Sequence, residues 1–191
     1  MPLPKQEKSF TFADALTWDE GERIELIHGA PVMMAPPLTI HQEIFSELHR
    51  QIANFLAGKT CRIYPAPFGV RLFEEEGDAP EDVDTLVEPD LSVICDRSKI
   101  DRHGCKGAPD FIIEILSPST QRHDRLVKFD LYQRAGVREY WIVDPERQLV
   151  QVLLLEEGSY HAPQVFTARD QVPVTVLEGC VVDLPAVFPA E

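Results

Sequence analysis

Long hydrophobic runs are absent from this sequence. No stretch approaches the roughly 18 apolar residues of a membrane-spanning helix, so a bilayer-embedded protein is not expected. The first residues, MPLPKQEKSF, lack the apolar middle of a secretory signal, and the expected setting is the cytoplasm. Cysteine is scarce: Cys61, Cys95, Cys105 and Cys180 include no Cys-x-x-Cys pair and fall short of the density of a disulfide scaffold. They read as reduced thiols. His103 and Cys105 in DRHGCKG have no second ligand pair at zinc-site spacing, and that segment reads as a polar loop. Positive charge is also short, with 18 Lys and Arg against 32 Asp and Glu and a formal net charge of -14. This excess runs against nucleic-acid binding by a broad basic face, because phosphate contacts come from clustered Lys and Arg. There is no internal repeat, and the one biased segment, EEEGDAPEDVD at 74–84, reads as a solvated loop.

What is present is a globular composition. With 191 residues, 44% hydrophobic and 26% charged, the chain is expected to form one domain, 1–191, with its own core. In FADALTWDEGE, Phe12, Ala15, Leu16 and Asp19 share a face at helical spacing. ERIEL and PVMMA flank His-Gly-Ala, where Gly29 can take the positive φ of a hairpin turn. From Thr39, an N-cap residue type, Ile40, Ile44, Leu48, Ile52 and Leu56 recur every four positions, with Phe45 and Phe55 widening the stripe as far as Gly58. CRIYPA, FGVRLF and LSVIC read as neighbouring strands. PDFIIEIL, residues 109–116, is an apolar strand interrupted only by Glu114. From Ser119 to Gly136 the pattern is helical, with Leu126, Phe129, Leu131 and Tyr132 apolar and Asp124, Arg125 and Lys128 polar. EYWIVD follows as a strand, with Trp141 a core aromatic and Tyr140 its exposed neighbour. QLVQVLLLE, QVFTA and VPVTV then form a meander. Strand, helix, strand between hairpins implies a mixed sheet with helices packed on it.

Three residues stand out by position. A carboxylate within an apolar strand is costly unless a cation or several donors compensate it, so Glu114 is either a metal ligand or half of a structural ion pair. Asp90, after Pro89 in VEPDLSVI, is presented at a strand mouth, as a ligand or as a turn aspartate. Two carboxylates on adjacent strand ends suit the few oxygen ligands that Mg2+ takes. Lys128 lies on the returning helix, where it could reach the strand end or pair with Asp124 one turn earlier.

EPDLSVI, PDFIIEILSPST and DRLVKFDLYQRAGVREYWIVDP, with ELIHGAPVMMAPP and HQEIFSEL before them, resemble the Uma2 family of endonucleases over roughly residues 10 to 183. The strings are weak singly and specific together. The resemblance implies an α/β (α+β) restriction-endonuclease-like PD-(D/E)XK fold, a mixed central sheet flanked by helices with additional antiparallel hairpins. It implies Asp90 and Glu114 as ligands of Mg2+ or Mn2+, joined by the main-chain carbonyl of Ile115. The (D/E)XK triplet reads Glu114-Ile115-Leu116, so its lysine is missing and Lys128 is the implied replacement. Glu25, His41, Asp124 and Tyr132 are implied accessories, with Gln133 nearby. The implied activity is hydrolysis of nucleic-acid phosphodiesters, with DNA as the implied substrate, by a metal-dependent, cytoplasmic homodimer. Two alternatives stay open: a catalytically silent nuclease-fold binding or assembly module, which the strong negative charge and the missing lysine favour, and a metallohydrolase of small phosphoesters, which an acidic surface would tolerate.

Overall fold

The computed structural model describes residues 9–18, 23–117 and 124–188, with only the backbone of residues 124 and 125. The strands are β1 (Ile24–Ile27), β2 (Ala30–Met33), β3 (Arg62–Pro65), β4 (Val70–Arg71), β5 (Leu91–Ile94), β6 (Ile100–Asp101) and β7 (Gly104–Lys106), then β8 (Phe111–Ile115), β9 (Glu139–Asp144), β10 (Leu149–Glu156), β11 (Ser159–Tyr160), β12 (Gln164–Thr167), β13 (Gln171–Pro173) and β14 (Val181–Asp183). The helices are α1 (Phe12–Ala15), α2 (Thr39–Leu56), α3 (Phe129–Ala135) and α4 (Leu184–Val187). A π-helical turn, Asp124–Lys128, runs directly into α3.

The apolar run around Glu114 becomes β8, buried along its whole length, because it sits in the middle of the main sheet. That sheet has the order β11-β10-β9-β8-β5-β3, with β12 also on β10. β8 and β9 are parallel and the other pairings are antiparallel. The architecture is therefore a mixed α+β one, and the parallel pair is joined through the π turn and α3. Side-chain alternation sends Phe111, Ile113 and Ile115 toward Ile44, Leu48 and Ile52 of α2, while Ile112 and Leu116 pack with Leu131 and Tyr132 of α3. Glu114 shares the parity of Ile112 and Leu116, so it faces α3. β1 and β2 form the expected hairpin, with His28 and Gly29 at φ 48 and 77. A Cβ on Gly29 would lie 2.1 Å from Ser9 Oγ, so the turn admits only glycine there.

Several expectations are corrected. Thr39 is the first residue of α2 rather than its cap: Leu38 holds the cap position, without a side-chain bond. α1 is only four residues long, and Asp19 lies outside the described residues. DRHGCKG is not a loop but contributes to the β6–β7 hairpin, which buries Cys105. Burial pushes that thiol up to about 12, away from the thiolate a metal would need. Tyr140 is fully buried, because β9 is covered on both faces. The four cysteines are not all thiols. Arg62 of β3 pairs with Ile94 of β5, so Cys61 and Cys95, one step outside, stand opposite each other and are joined by a disulfide. Among the described residues no helix is long and apolar enough to cross a membrane.

Candidate functional site

The main sheet and the β1–β2 hairpin together bring three buried carboxylates to one cleft. Glu25 enters from β1, Asp90 from the start of β5 and Glu114 from β8; they are 2%, 9% and 4% exposed. The π turn supplies the cation. Lys128 Nζ lies 2.9 Å from Glu114 Oε1 and 3.0 Å from Glu25 Oε1, and the lysine is 2% exposed. The α-helical pattern in the sequence turns Leu126 inward and Lys128 outward, and the structure reverses this, leaving Leu126 66% exposed. The extra residue of a π turn shifts the register of the helical faces, a device often found at functional sites.

Glu114 Oε1 also accepts the hydroxyl of Tyr132 at 2.5 Å. Burial, then the negative charges of Glu114 and Glu25, hold the Tyr132 hydroxyl well above its ordinary pKa. It therefore stays protonated and donates. Glu25 Oε1 accepts the backbone N–H of Glu88 at 3.0 Å. Asp90 Oδ2 accepts the backbone N–H of Ile115 at 2.7 Å and lies 3.2 Å from Nε2 of His41, in the first turn of α2. A residue in an extended strand sends its N–H and C=O to the same edge. The Ile115 carbonyl thus leaves on the side of Asp90.

The cleft has about 140 Å3 of free space, and its polar lining includes Arg23, Glu25, His41, Asp90, Glu114 and Lys128. Among the described residues no three His, Cys, Asp or Glu side chains cluster at metal-ligand spacing. The donor set on offer for a cation is two carboxylates, Asp90 and Glu114, with a main-chain carbonyl. Hard oxygens in that small number fit Mg2+ or Mn2+, which keep several waters, and do not fit zinc.

Most of the sequence-derived candidates are near one another, in two bonded groups: Glu25, Lys128, Glu114 and Tyr132 form one, and His41 with Asp90 the other, which reaches β8 through the Ile115 N–H. Asp124 opens the π turn, and its side chain lies outside the described residues, so its pairing with Lys128 is not part of the picture. Gln133 points elsewhere and accepts the Tyr160 N–H at 2.8 Å. Arg23 escaped sequence reasoning, although it stands two residues before Glu25, on the same face of an extended segment.

The family model Uma2, described as "Putative restriction endonuclease", matches residues 12–185. The uncharacterized protein slr1290 of Synechocystis sp. (strain PCC 6803) is 28% identical over 133 residues, a stretch that is 69% of this chain and 64% of that protein. In solved structures, the fold is similar to that of a crystal structure described as a putative nuclease belonging to DUF820 from Anabaena variabilis. The TM-score is 0.74 at 22% identity, covering 94% of this chain and 97% of the other.

Proposed function

The chain belongs to the Uma2 family, and from that premise we propose that it is a Mg2+- or Mn2+-dependent nuclease that hydrolyses nucleic-acid phosphodiesters at Asp90, Glu114 and Lys128. One observation carries the reading: a buried ammonium shared by Glu114 and Glu25 opens on the same cleft as Asp90. A divalent cation at such a site supplies Lewis-acid polarisation of the phosphate and eases deprotonation of water. The protein's part is to hold and orient. Asp90 and Glu114, with the Ile115 carbonyl, are the residues that would hold the ion. His41 and the Ile115 N–H fix Asp90 through Oδ2, and Tyr132 fixes Glu114 through Oε1. Lys128 sets a positive charge where negative charge builds on the phosphate, the role of the lysine missing at Leu116.

The test is cleavage of plasmid and oligonucleotide substrates with Mn2+ by wild type, Asp90→Ala and Glu114→Ala. Activity is expected in wild type alone, and equal activity in all three would assign the cleavage to something other than this site. Titration calorimetry with Mn2+ gives a second readout, in which binding is lost on Glu114→Ala. Lys128 is already held by two carboxylates, which favours a second reading, a silent nuclease-fold module. Absence of Mn2+ binding would select it. The homodimer belongs to the proposal too, with the outer strands of the sheet as pairing edges. Sedimentation of a single copy at micromolar concentration would remove it.

A further inference from the structure

The cleft has a wall that the carboxylates do not use. Residues 33–38 read Met-Met-Ala-Pro-Pro-Leu, an unbroken apolar run on the connection from β2 to α2. It remains in contact with water: Met33 is 73% exposed and Leu38 54%. Scattered surface hydrophobes need no explanation, but a contiguous exposed run marks a contact site. Met33, Met34, Pro36 and Pro37 line the same cleft as Asp90 and Glu114, and Phe45, half-buried on α2, continues the wall.

The charges in the cleft narrow what this wall could meet. Among the described residues, Arg23 and Lys128 are the fixed cations of the lining, and Lys128 is held between Glu25 and Glu114. Arg23 is paired with one carboxylate only: its Nε–H donates to Glu88 Oε2 at 3.2 Å, and its Nη2, also 3.2 Å from that oxygen, makes no hydrogen bond. Duplex DNA is gripped by rows of Lys and Arg along both backbones, and the described residues of the lining offer no such row. An unpaired nucleotide presents a different surface: a planar, largely apolar base face beside a single phosphate. Apolar and aromatic walls take such faces with little regard to sequence.

We infer that the cleft takes an unpaired strand, with one base packed on the Met33–Phe45 wall and the adjoining phosphate turned toward Arg23 and the carboxylate floor. This rests on the nuclease reading and names its substrate class, single-stranded nucleic acid or an unpaired end.

The experiment measures binding by fluorescence anisotropy in Ca2+, comparing a short labelled single strand with a hairpin duplex of the same sequence. It uses wild type, the double variant Met33→Ser/Met34→Ser, and Met33→Ser alone, whose exposed position secures folding. Wild type is expected to bind the single strand about tenfold tighter than the duplex, and the double variant to lose about tenfold on the single strand. The single variant falls between. Equal or tighter duplex binding, unchanged affinity in the variants, or no binding of either probe would overturn the inference. So would a dimer that the variants dissociate while nucleic-acid binding stays the same, since the wall would then cover a second copy. Cleavage in Mn2+ separates this from the nuclease reading. A protein that cuts duplex without single-strand preference keeps the nuclease and loses the inference. One that binds single strands through the wall and cuts nothing does the reverse.

Discussion

Lys128 is the residue on which stability and the proposed function meet. Its ammonium serves two buried carboxylates, and removing one partner of a buried ion pair leaves uncompensated charge, at about 3–5 kcal/mol. Lys128→Met is therefore expected to lower the unfolding free energy in metal-free buffer by about that much. Urea titration measures it, and a loss below about 1 kcal/mol would mean that Glu25 and Glu114 find other compensation. Tyr132→Phe is a milder change that keeps the ring in the core and removes only the donor to Glu114. A hydrogen bond to a charged acceptor is worth about 1.5–3 kcal/mol, so the stability loss should fall in that range. Cleavage should fall by roughly tenfold or more, because Glu114 is no longer fixed. At this scale the sequence was partly legible. Glu114 announces itself as the one charge in an apolar strand. Lys128 does not, because the pattern around it reads as an ordinary helix and only the π turn brings it inward. Arg23 was within reach through its i, i+2 spacing to Glu25, whereas the His41–Asp90 contact depends on tertiary proximity, which no local pattern encodes.

At the scale of elements, the strands and α2 were legible because their periods of two and about four are carried by large apolar residues. The short pieces were not. β6 and β7 hold only two and three residues, too few to show a period. The disulfide was hidden for a related reason. Cys61 and Cys95 lie 34 residues apart in sequence and meet only if β3 and β5 pair in one particular register. Closing a loop of that length constrains the unfolded chain by about 4 kcal/mol in the chain-entropy model. Reduction with dithiothreitol should accordingly lower the urea midpoint, and an unchanged midpoint would show that the cross-link constrains little. Glu139 ties β9 to the chain before β14. Its Oε1 accepts Trp141 Nε1–H at 2.7 Å and its Oε2 accepts the Val176 N–H at 2.9 Å. Burial pushes its pKa above the ordinary 4.5, against the pull of these donors. A carboxyl whose folded pKa is raised favours the folded state most below its unfolded value, and this contribution is lost as pH rises through the folded one. Glu139→Gln removes that dependence and turns an amide NH2 against one of the two donors, a cost of about 1–3 kcal/mol at any pH. The stability of wild type relative to the variant should thus decrease as pH rises above the ordinary carboxyl value of 4.5, and a constant difference would exclude Glu139 as its source.

At the scale of the whole molecule the decisive quantity is the net charge of -14, plain from composition and opposed to a polyanionic substrate. Two electrostatic effects then act in opposite directions with salt. Local contacts, such as Arg23 with a phosphate, weaken as ions compete for the phosphate. The long-range repulsion between an acidic protein and a nucleic acid also weakens, since the Debye length contracts from about 30 Å at 0.01 M to about 8 Å at 0.15 M. Encounter is governed by the long-range field, and retention by the local contacts. The association rate of a single-stranded oligonucleotide should therefore rise between those two salt concentrations while its dissociation rate also rises, leaving affinity only weakly salt-dependent. This is the reverse of the steep fall in association shown by basic nucleic-acid-binding proteins. Stopped-flow anisotropy resolves the two rates, and an association rate that falls with salt would show that a local positive face outweighs the net charge. Arg23→Gln should raise the dissociation rate and leave the salt response of association in place, because it changes the net charge by a single unit against an excess of 14.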